Sequence, residues 1–193
     1  APPEEIRAVA ETAVANGINF FDLCAGGKSV YEPFSRAIEG RRKELYFQLH
    51  FGAVYNAAGE YAWSRDLSEI KEMFAREMKA LRTDYVDFGF LHCIDDDGDF
   101  DDIMRGGIFD YVTGLRRDGV LRHIGFSSHT PSVANRLLDT GVCDIMMFSI
   151  NPAYDFERGD ELGIGTVRER AALFRRCEAE GVGISVMKPF HGG

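Results

Sequence analysis

Short apolar runs alternate with longer amphipathic stretches along the whole chain. The run Asp84–His92 is mostly apolar and aromatic, which is typical of a buried parallel strand between two crossover helices. Six runs of this kind are predicted to be strands: Ile18–Cys24, Leu45–Phe51, Asp84–His92, Arg122–His129, Asp144–Ile150 and Val182–Pro189.

The stretches before and between these runs carry apolar residues at helical spacing. They predict helices over Glu4–Ala15, Ser29–Ile38, Leu67–Leu81, Ile103–Arg117, Pro131–Asp139 and Val167–Glu180. Two segments without this period are predicted to be loops. One follows the second strand and contains Gly59 and Trp63, and the other is the acidic, solvated segment Cys93–Asp102.

Strict alternation of strands and helices predicts a parallel α/β sheet, either open and doubly wound or closed into a (β/α)8 TIM barrel. Polar side chains lie at or just after the carboxyl end of every predicted strand. This favours the barrel, because an open sheet concentrates such residues at one switch point. The residues are Asp22, His50, His92, Ser127, Ser128, His129, Asn151 and Lys188. We predict one domain over residues 1–193.

Composition narrows the range of functions. A formal net charge of -9 makes nucleic acid an improbable partner, since phosphate binding needs clustered Lys and Arg. The longest apolar runs are too short to cross a membrane, and the start of the sequence does not have the pattern of a signal peptide. Cys24, Cys93, Cys143 and Cys177 are scattered, which indicates a reducing compartment and hence the cytoplasm.

Four segments resemble the aldo-keto reductase family. They are Gly17–Asp22, Asp84–His92, His123–Ser128 and Val186–Phe190 followed by Gly192-Gly193. In that family the first of these segments ends in a catalytic Asp and the second in a catalytic His. The third resembles the strand that holds the nicotinamide carboxamide, and the fourth resembles the seventh strand with its phosphate-side loop.

The resemblance implies an NAD(P)H-dependent reductase that acts on a small-molecule carbonyl. It also implies an incomplete barrel of six strands, with the first and eighth strands missing. Exposed sheet edges would then need a cover, such as a redox partner or an oligomer. The sequence is most similar to a branch of oxidoreductases that usually carries a C-terminal iron–sulfur segment. That segment is absent here, so we expect an iron–sulfur cluster only if a longer chain exists.

Two residues depart from the family pattern. The family has a Tyr five residues after the catalytic Asp, where this chain has Gly27, and a Lys at the end of the third strand, where it has His50. Tyr31 is the nearest substitute for the Tyr, shifted by one helical turn. We therefore expect a catalytic set of Asp22, His50, His92 and Tyr31, in which His50, His92 or Tyr31 donates the proton.

The resemblance also implies which residues bind the cofactor, NADP or NAD. Ser127 and Ser128 are expected to contact its amide, and Lys188 its pyrophosphate. Ser149 and Asn151, at the end of the preceding strand, complete the expected cofactor-binding set.

Two other functions stay open. The missing Tyr and Lys suggest a degenerate barrel that binds a nucleotide or a partner without turnover. Alternatively, Asp22, His50 and His92 have the residue types of a metal site in a metal-dependent enzyme. Further ligands would come from Cys24, Cys93, His129 and His191.

Overall fold

A computed structural model describes residues 1–24, 27–56, 59–156 and 163–190. The predicted phosphate-side glycines Gly192 and Gly193, and the candidate ligand His191, lie outside these ranges. Within the described part of the chain, every helix is too short or too polar to cross a membrane.

Six parallel strands form a curled sheet in the order β1-β2-β5-β6-β7-β8, and β3 and β4 form a separate antiparallel hairpin. The strands are β1 (Phe20–Asp22), β2 (Tyr46–Phe51), β3 (Ala53–Tyr55), β4 (Tyr61–Trp63), β5 (Val86–Leu91), β6 (Leu121–Ser127), β7 (Ile145–Ser149) and β8 (Gly183–Met187). Leaving the hairpin aside, the strands of the large sheet lie side by side in the order in which they occur in the chain. The prediction of a parallel α/β sheet of barrel type is confirmed.

Helices cover the outer face of this sheet and connect its strands. They are α1 (Pro3–Ala15), α2 (Gly27–Ala37), α3 (Leu67–Leu81), α4 (Asp97–Arg105), α5 (Ile108–Arg117), α6 (Pro131–Asp139), α7 (Pro152–Asp155) and α8 (Val167–Glu180). Helix α8 begins with a complete capping box, in which Thr166 and Glu169 each accept from the other's backbone N–H.

Three elements differ from the prediction. The segment predicted as a loop after β2 contains the hairpin β3–β4, in which Tyr55 pairs with Tyr61. The acidic segment predicted as a loop is partly helix α4, because the Asp96 side chain accepts from Asp99 N at 2.8 Å and caps it. The single helix predicted over 103–117 is two helices, interrupted where Gly107 takes a left-handed φ of 78°.

Alternation along the strands decides which side chains enter the barrel. On β2, Phe47, Leu49 and Phe51 belong to the apolar core between sheet and helices. Gln48 and His50 are buried but lie on the opposite face, which is the interior of the barrel. Because β1, β2 and β5 are parallel neighbours, residues that follow their carboxyl ends meet at the same rim of the sheet.

The opposite rim is held by one buried carboxylate. Asp87 at the start of β5 has a side chain 1% exposed and lies 2.8 Å from Arg42 Nη2 and 2.7 Å from Arg122 Nη1. It also accepts from the backbone N–H of Phe47 at 2.9 Å. Two guanidinium groups and a backbone donor thus satisfy this charge, and they join three strands of the sheet.

Candidate active site

Asp22 and His50 form a hydrogen-bonded pair at the carboxyl rim. His50 Nε2 lies 3.1 Å from Asp22 Oδ1, and the backbone N–H of Cys24 donates to the same carboxylate oxygen at 3.0 Å. Gln48 Nε2 lies 2.8 Å from His50 Nε2, while the buried Gln48 Oε1 has no partner among the described residues. Rotating the amide would present Oε1 to the imidazole N–H as a second acceptor.

His50 continues the row to His92. Their Nδ1 atoms are 2.9 Å apart, and the ring of His50 is stacked on Phe90 with the centroids separated by 5.2 Å. A carboxylate only accepts, so His50 donates from Nε2 to Asp22 when both imidazoles are neutral. His50 Nδ1 is then an acceptor, and His92 must donate to it from Nδ1.

The row ends at Tyr61, a residue that the sequence analysis missed. Its hydroxyl is hydrogen-bonded to His92 Nε2, and Trp63 Nε1 donates to the same hydroxyl at 2.6 Å. With both imidazoles neutral, His92 Nε2 is the acceptor and Tyr61 is the donor. The Tyr61-Ala62-Trp63 alternation after Gly59 is a local signal for a strand, but only the fold brings this strand to His92.

Burial and neighbouring charges set the protonation of this row. Burial, with the charge of His50 beside it, lowers the pKa of His92 to about 3, so its imidazole is neutral at physiological pH. Burial opposes ionisation of Asp22, but hydrogen bonding and charge from His50 outweigh it and keep the pKa of Asp22 below its usual value. Burial raises the pKa of Tyr61 to about 12, although the Trp63 hydrogen bond acts in the opposite direction.

Tyr31, one of the three predicted candidates for the proton donor, does not join this row. Its side chain is buried, and its hydroxyl donates to the carbonyl of Leu23 and lies 3.4 Å from Glu77 Oε1. Both contacts turn the hydroxyl towards α3 on the outer side of β1. A cavity of about 760 Å³ lies there, lined by Tyr31, Tyr55 and Glu77 and by none of the residues of the row.

The predicted cofactor residues lie at the ends of β6, β7 and β8. Ser127 Oγ accepts from Cys93 N at 2.8 Å, and Ser128 Oγ lies 3.3 Å from Asp95 Oδ1. Asn151 caps α7 through its Oδ1 and donates from Nδ2 to the Lys188 carbonyl at 3.0 Å. These contacts fix the rim of the second half of the sheet.

Among the predicted cofactor residues, Ser149 has a hydroxyl that is unpaired in the described part of the chain, and Lys188 carries a positive charge. Ser149 Oγ is buried and has no partner within the described ranges. Lys188 Nζ donates to His129 Nε2 at 2.8 Å, and His129 in turn lies 2.9 Å from Asp95 Oδ2. The structure therefore places one unsatisfied hydroxyl and one positive charge on the side of the rim that follows β7 and β8.

Two groups of side chains have the spacing that a metal ion needs. Cys24, His50 and His92 form one group, and Cys93, Asp95 and His129 form the other, with the ligating atoms of each group within 4.8 Å of one another. Asp22 is not in the first group, because it meets the opposite nitrogen of His50. Burial raises the pKa of the Cys24 thiol to about 12, so without a bound cation this thiol is protonated at neutral pH.

The parallel β/α sheet has its row of polar side chains at the carboxyl rim, which is where enzymes with a (β/α) barrel fold carry their active sites. The model of the Aldo/keto reductase family matches residues 1–193. The chain therefore belongs to the aldo/keto reductase family, as its motifs predict.

One curated relative is the uncharacterized oxidoreductase YqkF of Bacillus subtilis. It is 26% identical over 144 residues, which are 72% of this chain and 45% of the relative. The chain thus spans less than half the length of this relative.

Solved structures of the family share the fold. The aldo-keto reductase AKR11C1 of Bacillus halodurans in its holo form superposes with a TM-score of 0.73 and 22% identity, over 95% of this chain and 57% of that one. An aldo-keto reductase of Klebsiella pneumoniae in complex with NADPH gives a TM-score of 0.71 at 16% identity, over 98% of this chain and 59% of that one. These likenesses confirm the (β/α)8 type of fold.

Proposed function

We propose that this protein is an oxidoreductase that transfers a hydride between NAD(P)H and a carbonyl or alcohol substrate. The observation that carries the proposal is the continuous row Asp22–His50–His92 at the carboxyl rim of a barrel of this family. Reduction of a carbonyl needs a proton donor and a polar environment for the oxygen that becomes an alkoxide. The row offers both.

His50 takes the place of the family's Lys beside the Asp. Its Nε2 lies 3.1 Å from Asp22 Oδ1 and its Nδ1 lies 2.9 Å from His92 Nδ1, so His50 connects the carboxylate to the second imidazole. His92 remains neutral and is oriented by His50 on one side and by Tyr61 on the other. A neutral imidazole can accept a proton at one nitrogen while releasing one from the other.

The second half of the rim suits a nicotinamide cofactor, which supplies the hydride when bound. The unsatisfied Ser149 hydroxyl fits contact with an amide, and the adjoining side chains of Ser127, Ser128 and Asn151 are held in place by the protein. Lys188 offers a positive charge to a pyrophosphate. The NADPH complex of the Klebsiella relative supports this assignment.

The proposal also includes the cellular compartment and the partners of the protein. Its four cysteines are free, which suits the reducing cytoplasm. The edge strands β1 and β8 carry exposed apolar side chains such as Val186, and we expect an oligomer or a redox partner to cover them.

The proposal is tested by titrating the full-length natural protein with NADPH and NADH and following nicotinamide fluorescence. We expect saturable binding of at least one cofactor, followed by turnover with an aldehyde. A protein that binds neither cofactor would contradict the proposal. Binding without turnover would indicate instead the degenerate barrel, which binds a nucleotide without acting on a substrate.

A metal-dependent reaction is the second candidate, and the convergence of Cys24, His50 and His92 favours it. Elemental analysis of the purified protein decides this point. Less than about one-tenth of an equivalent of transition metal, in protein that still turns over, would exclude a resident metal centre.

A further inference from the structure

The members of the row differ in how far they reach into solvent. The His50 side chain is 1% exposed, and His92 is 8% exposed as a residue. Tyr61, at the other end of the hydrogen-bonded row, is 48% exposed. A proton donor must come within hydrogen-bond distance of the substrate oxygen. The two imidazoles are enclosed. The Asp22 side chain is 38% exposed, but a carboxylate only accepts, so Tyr61 is the exposed hydrogen-bond donor of this row.

We propose that Tyr61, carried on the hairpin β3–β4, is the catalytic proton donor, and that His92 and His50 return a proton to it. This inference rests on the proposed function. The catalytic Tyr of this chain would then come from β4, whereas the family motif has its Tyr at the position of Gly27. The contacts of His92 with both Tyr61 and His50 make the transfer continuous.

The steps balance as follows. The hydride adds to the carbonyl carbon, and the π electron pair moves to the oxygen. The O–H bond of Tyr61 breaks, and its proton goes to that oxygen. In the state in which His50 holds a proton on each nitrogen, Tyr61 takes a proton from His92 Nε2, and His92 takes one at Nδ1 from His50. One proton and one hydride are consumed for each carbonyl reduced.

The row has two hydrogen-bond directions, and only one leaves Tyr61 free to act. When both imidazoles are neutral, the Tyr61 hydroxyl donates to His92. When His50 carries a second proton, the direction reverses, and His92 Nε2–H donates to the Tyr61 oxygen. The Tyr61 proton is then directed to the substrate. Proton donation to the substrate therefore uses the second of these two hydrogen-bond directions.

The hairpin β3–β4 packs against Gly27, the position at which the family motif has its Tyr. A Cβ at Gly27 would lie 3.4 Å from Cγ of Tyr55, so the Tyr55 ring packs directly against this position. The hydroxyl of Tyr55 donates to the Cys24 carbonyl, and its ring lies 5.9 Å from that of Tyr61. The hairpin thus fills the neighbourhood in which the family motif has a tyrosine.

Trp63 is a positioning residue for this donor. Its indole N–H points at the Tyr61 oxygen at 2.6 Å and stabilises the negative charge that develops as the proton leaves. Tyr31 has no comparable arrangement, because its hydroxyl is enclosed between the Leu23 carbonyl and Glu77.

The test compares Tyr61→Phe with Tyr46→Phe in the full-length natural protein, using NADPH and 4-nitrobenzaldehyde. Tyr46 is equally exposed but lies at the opposite end of β2, so its substitution controls for loss of a surface hydroxyl. We expect Tyr61→Phe to lower kcat about 100-fold with an unchanged Kd for NADPH, and Tyr46→Phe to leave kcat within about threefold. Trp63→Phe keeps the proposed proton donor Tyr61 but removes the indole N–H, and it should lower kcat by about five- to tenfold.

The outcomes separate the two proposals. A wild-type protein without turnover contradicts the proposed function and this inference with it. Turnover that persists within about threefold in Tyr61→Phe overturns the inference alone. A loss in Tyr31→Phe with none in Tyr61→Phe would also overturn it and identify Tyr31 as the donor. The Kd for NADPH and the melting temperature of each variant show that the fold is retained.

Discussion

The Nδ1 atoms of His50 and His92 face each other at 2.9 Å, with their rings nearly perpendicular. One of these two nitrogens must donate and the other must accept. When both imidazoles are neutral, each ring therefore has one defined tautomer. Their opposite nitrogens meet Asp22 and Tyr61. Each imidazole therefore has both nitrogens engaged, and a change at one end of the row alters the donor and acceptor roles at the other.

His92→Gln should lower kcat about 100-fold with little change in cofactor affinity, because Gln cannot accept and release a proton at opposite ends. Steady-state kinetics and NADPH titration measure the two quantities. His123→Gln is the matched control, since His123 stacks on Phe88 away from the row and its side chain is half-exposed. Equal activity of the two variants would refute a role for His92 in proton transfer.

Glu77 should make the protein less stable as the pH rises. Burial raises its pKa from 4.5 to about 8 in the folded state. The folded state therefore binds the extra proton between about pH 4.5 and pH 8, and the free energy of unfolding falls across this window by up to about 1.4 kcal/mol per pH unit. Glu77→Gln should remove this part of the dependence.

Denaturant melts of wild type and Glu77→Gln at pH 5 and pH 8 measure the effect. Glu72→Gln on the same helix provides the control, because Glu72 is exposed and forms only a surface pair with Arg76. If Glu77→Gln and wild type lose the same stability between the two pH values, the burial argument for Glu77 is wrong.

Asp87→Asn should destabilise the fold by about 3–5 kcal/mol, because it leaves the partly buried Arg42 without its counter-charge. Asp84→Asn, three residues earlier and exposed, should change stability by less than about 0.5 kcal/mol. Thermal or urea unfolding distinguishes them. A small effect at Asp87 would mean that the opposite rim does not depend on this charge.

Gly125→Ala and Gly114→Ala should have opposite effects on stability. A Cβ at Gly125 would lie 2.7 Å from Phe90 Cε2 and 2.8 Å from Ile145 Cγ2, and overpacking of this kind costs about 1–3 kcal/mol. A Cβ at Gly114, inside α5, would meet only Arg117 Nη2 at 3.7 Å, so Ala should stabilise the helix by about 1 kcal/mol.

Gly125→Ala should also affect catalysis, because Phe90 supports the ring of His50. We expect a decrease in kcat at temperatures where the variant remains folded, whereas Gly114→Ala should retain wild-type kcat. Kinetics measured well below both melting temperatures would show this difference. A stable Gly125→Ala protein with normal kcat would contradict the coupling between Phe90 and His50.

The sequence was sufficient for the parallel sheet and for the row Asp22, His50 and His92. Strand periodicity locates carboxyl ends, and neighbouring parallel strands bring those ends to one rim. It was not sufficient for Tyr61. That residue belongs to a three-residue strand, and its approach to His92 depends on how the hairpin folds back over the rim.

The position of Tyr31 also depends on the tertiary fold. A shift by one helical turn keeps a side chain on the same face of the helix but moves it about 6 Å along the helix axis. The hydroxyl consequently meets Glu77 of α3 instead of the row. The tertiary position of α2 decides this, and local periodicity does not contain that information.

The order of strands in the sheet divides the site between two parts of the chain. Asp22, His50, Tyr61 and His92 all precede α4, and the strands β1, β2 and β5 are consecutive neighbours in the sheet. During synthesis the row of these side chains can therefore assemble as soon as β5 has docked, before β6–β8 have emerged. A vectorially growing chain would complete the proposed acid–base row first and the proposed cofactor side last.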